Sequence, residues 1–134
     1  MSYDISLTDP CTHEVLCMDE PHHMKGGNYV VGGTDEMWLN VTYNYSRWYY
    51  KVFPDDKGIR AIYGLSGAES IPILRKAISD LEAMTEDISA KERRQCEAQE
   101  CTGYWLPTRV NAIKPLYSLL AFAQMRPDGV WDGD

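Results

Sequence analysis

Five side chains able to bind a soft metal lie within thirteen residues near the start of the chain: Cys11, His13, Cys17, His22 and His23. Zinc asks for four such groups converging as a tetrahedron, and local turns can bring them together. The spacing C-x-H-x3-C-x4-H-H matches no standard finger, knuckle or ribbon. Strand alternation sends Cys11, His13 and Cys17 to one face, while Pro21 redirects the two histidines. No resident metal and no cofactor are therefore expected. Cys96 and Cys101 form a looser pair inside a polar stretch. The run His22-His23-Met24-Lys25-Gly26-Gly27 suits recognition of an anion through imidazoles, an ammonium and glycine N–H groups open to close approach. It has neither the order G-x-x-x-x-G-K-[ST] nor G-x-G-x-x-G, so an ordinary nucleotide enzyme is not indicated. No G-x-S-x-G elbow occurs, and no histidine has an acidic orienter identifiable from sequence. Asp35-Glu36 and Asp55-Asp56 read as turn or helix-start carboxylates. The expectation is binding without catalysis.

The stretch from Trp38 to Tyr50 gathers six aromatic rings, interleaved with asparagine and hydroxyl side chains. A chain with only two phenylalanines must build its core from tyrosine and tryptophan, because a buried ring contributes several kcal/mol through its area. Alternation cannot bury Trp38, Tyr43, Tyr45, Trp48, Tyr49 and Tyr50 together, so one or two rings are expected at an edge. Edge rings beside Asn40, Asn44 and Arg47 suit stacking on a base or anchoring a partner protein. The candidate contacts are thus His22, His23, Lys25, Asn40, Tyr43, Asn44, Tyr45, Arg47 and Trp48. Glu92, Glu97 and Glu100 add an acidic surface able to meet a basic partner.

The elements that must position these groups fit one domain over residues 1–134, long enough for one core and not for two. A net charge of -7 disfavours sequence-independent nucleic-acid binding and anionic lipid. No apolar leader follows Met1 and no run of about 18 apolar residues occurs, so no membrane association and a cytoplasmic location are expected. The triplets Asn40-Val41-Thr42 and Asn44-Tyr45-Ser46 match a glycosylation pattern with no secretory route to use it. Four cysteines in a reducing cytosol are expected as free thiols.

Residues 3–8 alternate in polarity and stop at Asp9-Pro10, which predicts a strand, and residues 13–18 are expected to return antiparallel to it. Asn28 to Val31 is a short β-prone segment between glycine pairs. Residues 38–44 read as a strand and 45–53 as a helix that Pro54 ends, with Asn44 or Ser46 as its cap. Ser66-Gly67-Ala68-Glu69 is a capping-box pattern, and Ile71, Leu74, Ala77, Ile78 and Leu81 make one apolar face of the helix that follows, with Pro72 in or near its first turn. Residues 84–102 are polar nearly all round and read as a helical insertion or excursion. A last helix runs to Met125, with Trp131 folding back over the core. The predicted class is α+β: an N-terminal antiparallel sheet with C-terminal helices packed on it.

Several segments resemble small uncharacterised proteins encoded by tailed phages and prophages: Tyr3 to Pro10, His22 to Gly27, Leu39 to Tyr45, Gly67 to Pro72 and Arg126 to Trp131. The resemblance covers most of the chain outside 84–102. It implies a viral origin and expression in the bacterial host cytoplasm. By analogy with small acidic phage proteins, the expected function is non-enzymatic inhibition of a bacterial immune system, in the anti-CRISPR manner, by occluding a host defence protein. The alternatives are a sponge for a nucleotide immune signal, held by the His22 to Asn28 loop with Tyr43, Tyr45 and Arg47, a phage structural or assembly protein, and a small metal-dependent enzyme. Homo-oligomerisation is left open.

Overall fold

The computed structural model describes residues 2–24, 33–84 and 107–134. The fold is α+β. Strand β1 (Ser2–Thr8) carries out the alternation of its sequence: Tyr3, Ile5 and Leu7 are buried while Asp4 is exposed and Ser2 and Ser6 are half-buried. It is the middle strand of an antiparallel sheet, with β4 (Trp38–Thr42) on one side and β5 (Val130–Gly133) on the other. Tyr3 pairs Val41, Ile5 pairs Leu39 and Leu7 pairs Trp131, so one face of all three strands is apolar.

The predicted hairpin partner of β1 is displaced. Residues 9–14 close into a compact loop, because Asp9 Oδ1 accepts from the N–H groups of Cys11 and Thr12 while the Asp9 carbonyl accepts from His13. His13 takes a left-handed φ of 63° there. Only an isolated bridge joins Thr8 to Val15, and β2 (Cys17–His22) pairs instead with β3 (Thr34–Glu36) as a separate two-stranded ribbon. The ribbon is anchored where Leu16 N–H donates to the Leu7 carbonyl, Met37 N–H to Leu16 and Leu7 N–H to Met37. The β-prone segment 28–31 and the polar stretch after Met84 lie outside the described residues.

A short 3-10 turn, Tyr43–Tyr45, joins β4 to helix α1 (Ser46–Val52). The turn is capped by Thr42, whose hydroxyl accepts from Asn44 N–H, while α1 starts from Tyr45 with no side-chain cap, in place of the asparagine or serine cap the sequence suggests. Two more 3-10 segments, Pro54–Asp56 and Gly58–Ile62, lead to α2 (Gly67–Ala83). The capping box is present in full: Ser66 Oγ accepts from Glu69 N–H and Glu69 Oε1 from Ser66 N–H, at 3.0 Å each. Pro72 sits one turn further in than expected, removing the donor to the Ala68 carbonyl; both residues are exposed. Helix α3 (Arg109–Met125) starts at Thr108, whose hydroxyl accepts from Asn111 N–H.

Helices α2 and α3 pack on each other, and with α1 they bury the apolar face of the sheet. Leu74, Ala77 and Leu81 of α2 and Leu116, Leu119 and Phe122 of α3 are fully enclosed. Trp131, expected to fold back over the core, does so as part of β5: it is buried, and its indole N–H donates to the buried Ser70 hydroxyl at 2.7 Å. The start of α2 crosses the turn after α3 at close range, with Gly67 N–H on the Gly129 carbonyl at 2.7 Å. A Cβ on Gly67 would lie 2.7 Å from the Arg126 carbonyl, which explains a glycine at that helix start. Among the described residues no helix is long and apolar enough to cross a membrane.

Candidate functional site

The aromatic run divides sharply between interior and edge. Tyr45, Trp48 and Tyr49 are 1%, 2% and 0% exposed. The Tyr49 hydroxyl donates to the Ala112 carbonyl at 2.9 Å and Trp48 Nε1 to the Pro107 carbonyl at 2.8 Å, so α1 pins the start of α3. Arg47 Nη2 reaches the same Pro107 carbonyl, and its guanidinium and the Lys51 ammonium flank the Trp48 ring. Tyr45 and Trp48, expected among the contacts for a ligand or partner, are corrected to core residues: enclosure leaves neither ring a face to offer. Burial also holds the Tyr49 phenol well above its ordinary pKa.

The outward members of the run gather elsewhere. Tyr43 packs edge-on against Tyr3, with ring centroids 4.5 Å apart, and the Tyr3 hydroxyl is 2.6 Å from Ser46 Oγ. The Arg60 guanidinium lies 4.8 Å from the Tyr3 ring centre and 5.7 Å from that of Tyr43. Its Nη2 donates to the Tyr43 hydroxyl and its Nε to the Asp134 carbonyl. Tyr50, 46% exposed, covers Gly58 on the same side, where a Cβ would sit 3.4 Å from the ring. The Tyr63 ring fits under Gly133, which has no room for a Cβ, and the Tyr63 hydroxyl is buried with no hydrogen-bond partner among the described residues. Burial first, then the Asp134 carboxylate, pushes the Tyr63 phenol far above its usual range, and burial raises Tyr3. These hydroxyls are protonated at neutral pH. Sequence reasoning passed over Arg60; its signal was a single cation inside Ile59-Arg60-Ala61-Ile62, whose isoleucines are buried.

The second face of the sheet is polar. Trp38, Ser6 and Asp132 form one row across β4, β1 and β5, with Asn40 and Asp4 in the next. Asp4 and Asp132 are exposed, and Trp38 and Asn40 are half-buried. Asn40 Nδ2 donates to Asp4 Oδ1 at 2.7 Å and to Ser2 Oγ at 2.8 Å, and Asp134 Oδ1 accepts from Asp4 N–H. The result is a carboxylate-bearing surface around one indole. A cleft of about 320 Å³, lined in part by His13, Tyr63, Gly64 and Asp132, adjoins it.

The remaining candidates do not converge with either surface. His22 Nε2 donates to the Glu36 carbonyl at 2.8 Å, while its Nδ1 accepts from Met24 N–H and its ring sits 5.4 Å from that of Phe122. His23 and Asn44 are exposed. The ribbon holding the histidines leaves the sheet at the end of β4 opposite Tyr43, and the rest of the His22 to Asn28 loop lies outside the described residues. Cys11 and Cys17 are exposed free thiols. Among the described residues no three His, Cys, Asp or Glu side chains come together as a metal set. Lys25, Glu92, Glu97, Glu100, Cys96 and Cys101 lie outside the described residues. Comparison with known protein families, with curated proteins and with solved structures finds no match.

Proposed function

We propose that this chain is a non-enzymatic phage accessory protein that inhibits a bacterial immune system by binding, covering a basic surface of a host defence protein in the bacterial cytoplasm. The observation that carries this reading is the polar sheet face, where Trp38 stands among Asp4, Asp132 and Asn40. A half-buried tryptophan held on a strand is an anchor that loses little entropy on docking. The carboxylates around it, on a molecule of net charge -7, favour a cationic partner and speed encounter with it.

The test is phage plating on bacteria carrying defined immune systems, with the chain supplied from a plasmid. The wild type should restore plating on at least one defended strain. Trp38→Ala should weaken binding to the target by about 2 kcal/mol, roughly thirtyfold, and the double variant Asp4→Lys, Asp132→Lys should abolish both binding and its salt sensitivity. If both variants protect phage as well as the wild type does, the sheet face is not the contact.

A further inference from the structure

We propose that the chain pairs with a second copy of itself through the outward face of α3, the two helices lying antiparallel about a twofold axis between Tyr117 and Ser118. Helix α3 is apolar on both sides. Its inner side fills the core, yet on its outer side Val110, Tyr117 and Met125 are 49%, 51% and 49% exposed. Of the described residues of α3 only Lys114 is both charged and exposed. The neighbouring helix α2 instead turns Glu69, Arg75, Lys76 and Glu82 to solvent, as a helix bounded by water does. A helix apolar all round is one that is covered all round. Val110, Tyr117, Ala121 and Met125 recur at i, i+7, i+11 and i+15, which aligns them as one stripe along a helix about 25 Å long.

Charge and shape both select a second copy. Each chain carries a net charge of -7, so two copies repel, and the repulsion is least where acids are missing; α3 contains none of the twenty. With the axis between Tyr117 and Ser118, Val110 meets the partner's Met125, Lys114 meets the partner's Ala121 and Tyr117 meets the partner's Ser118. The ends are apolar on apolar, and between them each large side chain faces a small one, which lets two helices interlock at about 8–10 Å. Among the described residues the Lys114 ammonium reaches only Asn111 Oδ1, at 3.2 Å. The Tyr117 hydroxyl donates to the Glu82 carboxylate on α2, so the partner's Lys114, opposite Ala121, comes within one turn of that acid. The twofold axis makes this contact twice. α3 lies on the apolar side of the sheet, so the pairing leaves the polar face around Trp38 free in both copies. One helix pair buries less than the ~800 Å² per partner of a standard interface, which sets the dissociation constant on the order of micromolar.

The experiment is sedimentation velocity on the full chain from about 1 to about 500 μM. The mass should rise with concentration from that of the monomer toward that of the dimer and stop there. Val110→Glu and Met125→Glu change exposed positions, so both should melt as the wild type does, while each weakens the dimer about tenfold or more. The double variant Val110→Glu, Met125→Lys brings opposite charges together across the axis and should recover dimerisation relative to Val110→Glu alone. A mass that stays monomeric throughout overturns the proposal. So do dimers that neither single variant weakens, a double variant with no recovery, and growth beyond the dimer, which means head-to-tail contacts. Trp38→Ala, which tests the sheet face, should leave this equilibrium unchanged, and the assay contains no host protein, so failure here and failure of the sheet-face reading are told apart.

Discussion

Two tyrosine hydroxyls, both shut away from water, are in opposite situations. That of Tyr49 donates to the Ala112 carbonyl, whereas that of Tyr63 has no partner among the described residues. Removing the first loses a bond to a helix carbonyl that keeps its own helical donor, so Tyr49→Phe should cost about 1 kcal/mol. Removing the second relieves an unsatisfied dipole, so Tyr63→Phe should be neutral or slightly stabilising. Urea denaturation of the two variants against wild type checks the pair. A loss above about 1 kcal/mol for Tyr63→Phe would mean that its hydroxyl holds a water or a ligand atom in solution. Neither distinction is visible in the sequence, where both residues are simply tyrosine. Arg60 is the sharper instance, because its partners stand 17 and 74 residues away and nothing local marks it.

At the scale of the element, what was legible is what is decided locally. The alternation of β1 and the Ser66 to Glu69 cap depend on neighbours a few residues apart, and both form as read. The ribbon of β2 and β3 does not follow from periodicity, because the Asp9 carboxylate and carbonyl close residues 9–14 into a compact loop that leaves only the bridge from Thr8 to Val15 of the expected hairpin. The cap of α2 also makes a pH prediction. Hydrogen bonds first from the Ser66 backbone and then from its hydroxyl hold the Glu69 carboxyl below its ordinary pKa. A carboxyl depressed in the folded state stabilises above its unfolded pKa, and that contribution disappears as pH falls through the folded value. Glu69→Gln should therefore lower Tm slightly near pH ~7, and the difference should shrink toward zero between about pH 5 and pH 3. Thermal melts of both proteins across that range test it; a difference independent of pH would show that the charge contributes nothing to the cap.

At the scale of the whole molecule, the sheet is closed by strands far apart in sequence. β5 pairs with β1, so the last strand of the chain completes the sheet begun by the first, and Trp131 ties that sheet to α2 through Ser70. Pairings this distant in sequence pay a large loop-closure entropy and form only when the rest of the core can receive them. The sequence therefore announced Trp131 as a core residue without announcing its strand: burial follows from the ring, whereas pairing requires a partner whose register is set elsewhere. A core serving both the sheet and the helices has no independent part to fall back on. Trp131→Ala would leave a large void between β5 and α2, remove the donor to Ser70, and cost about 3–5 kcal/mol. Against a total stability of about 5–15 kcal/mol, that is a large share. The expected result is a lower urea midpoint with one cooperative transition, in which tryptophan fluorescence from the remaining indoles and far-UV circular dichroism coincide. If the helical signal survives at urea concentrations where the fluorescence change is complete, α2 and α3 hold together without β5. The sheet face and the Arg60 cluster, both built partly from residues 132–134, would then sit on a separable cap and not on the common core.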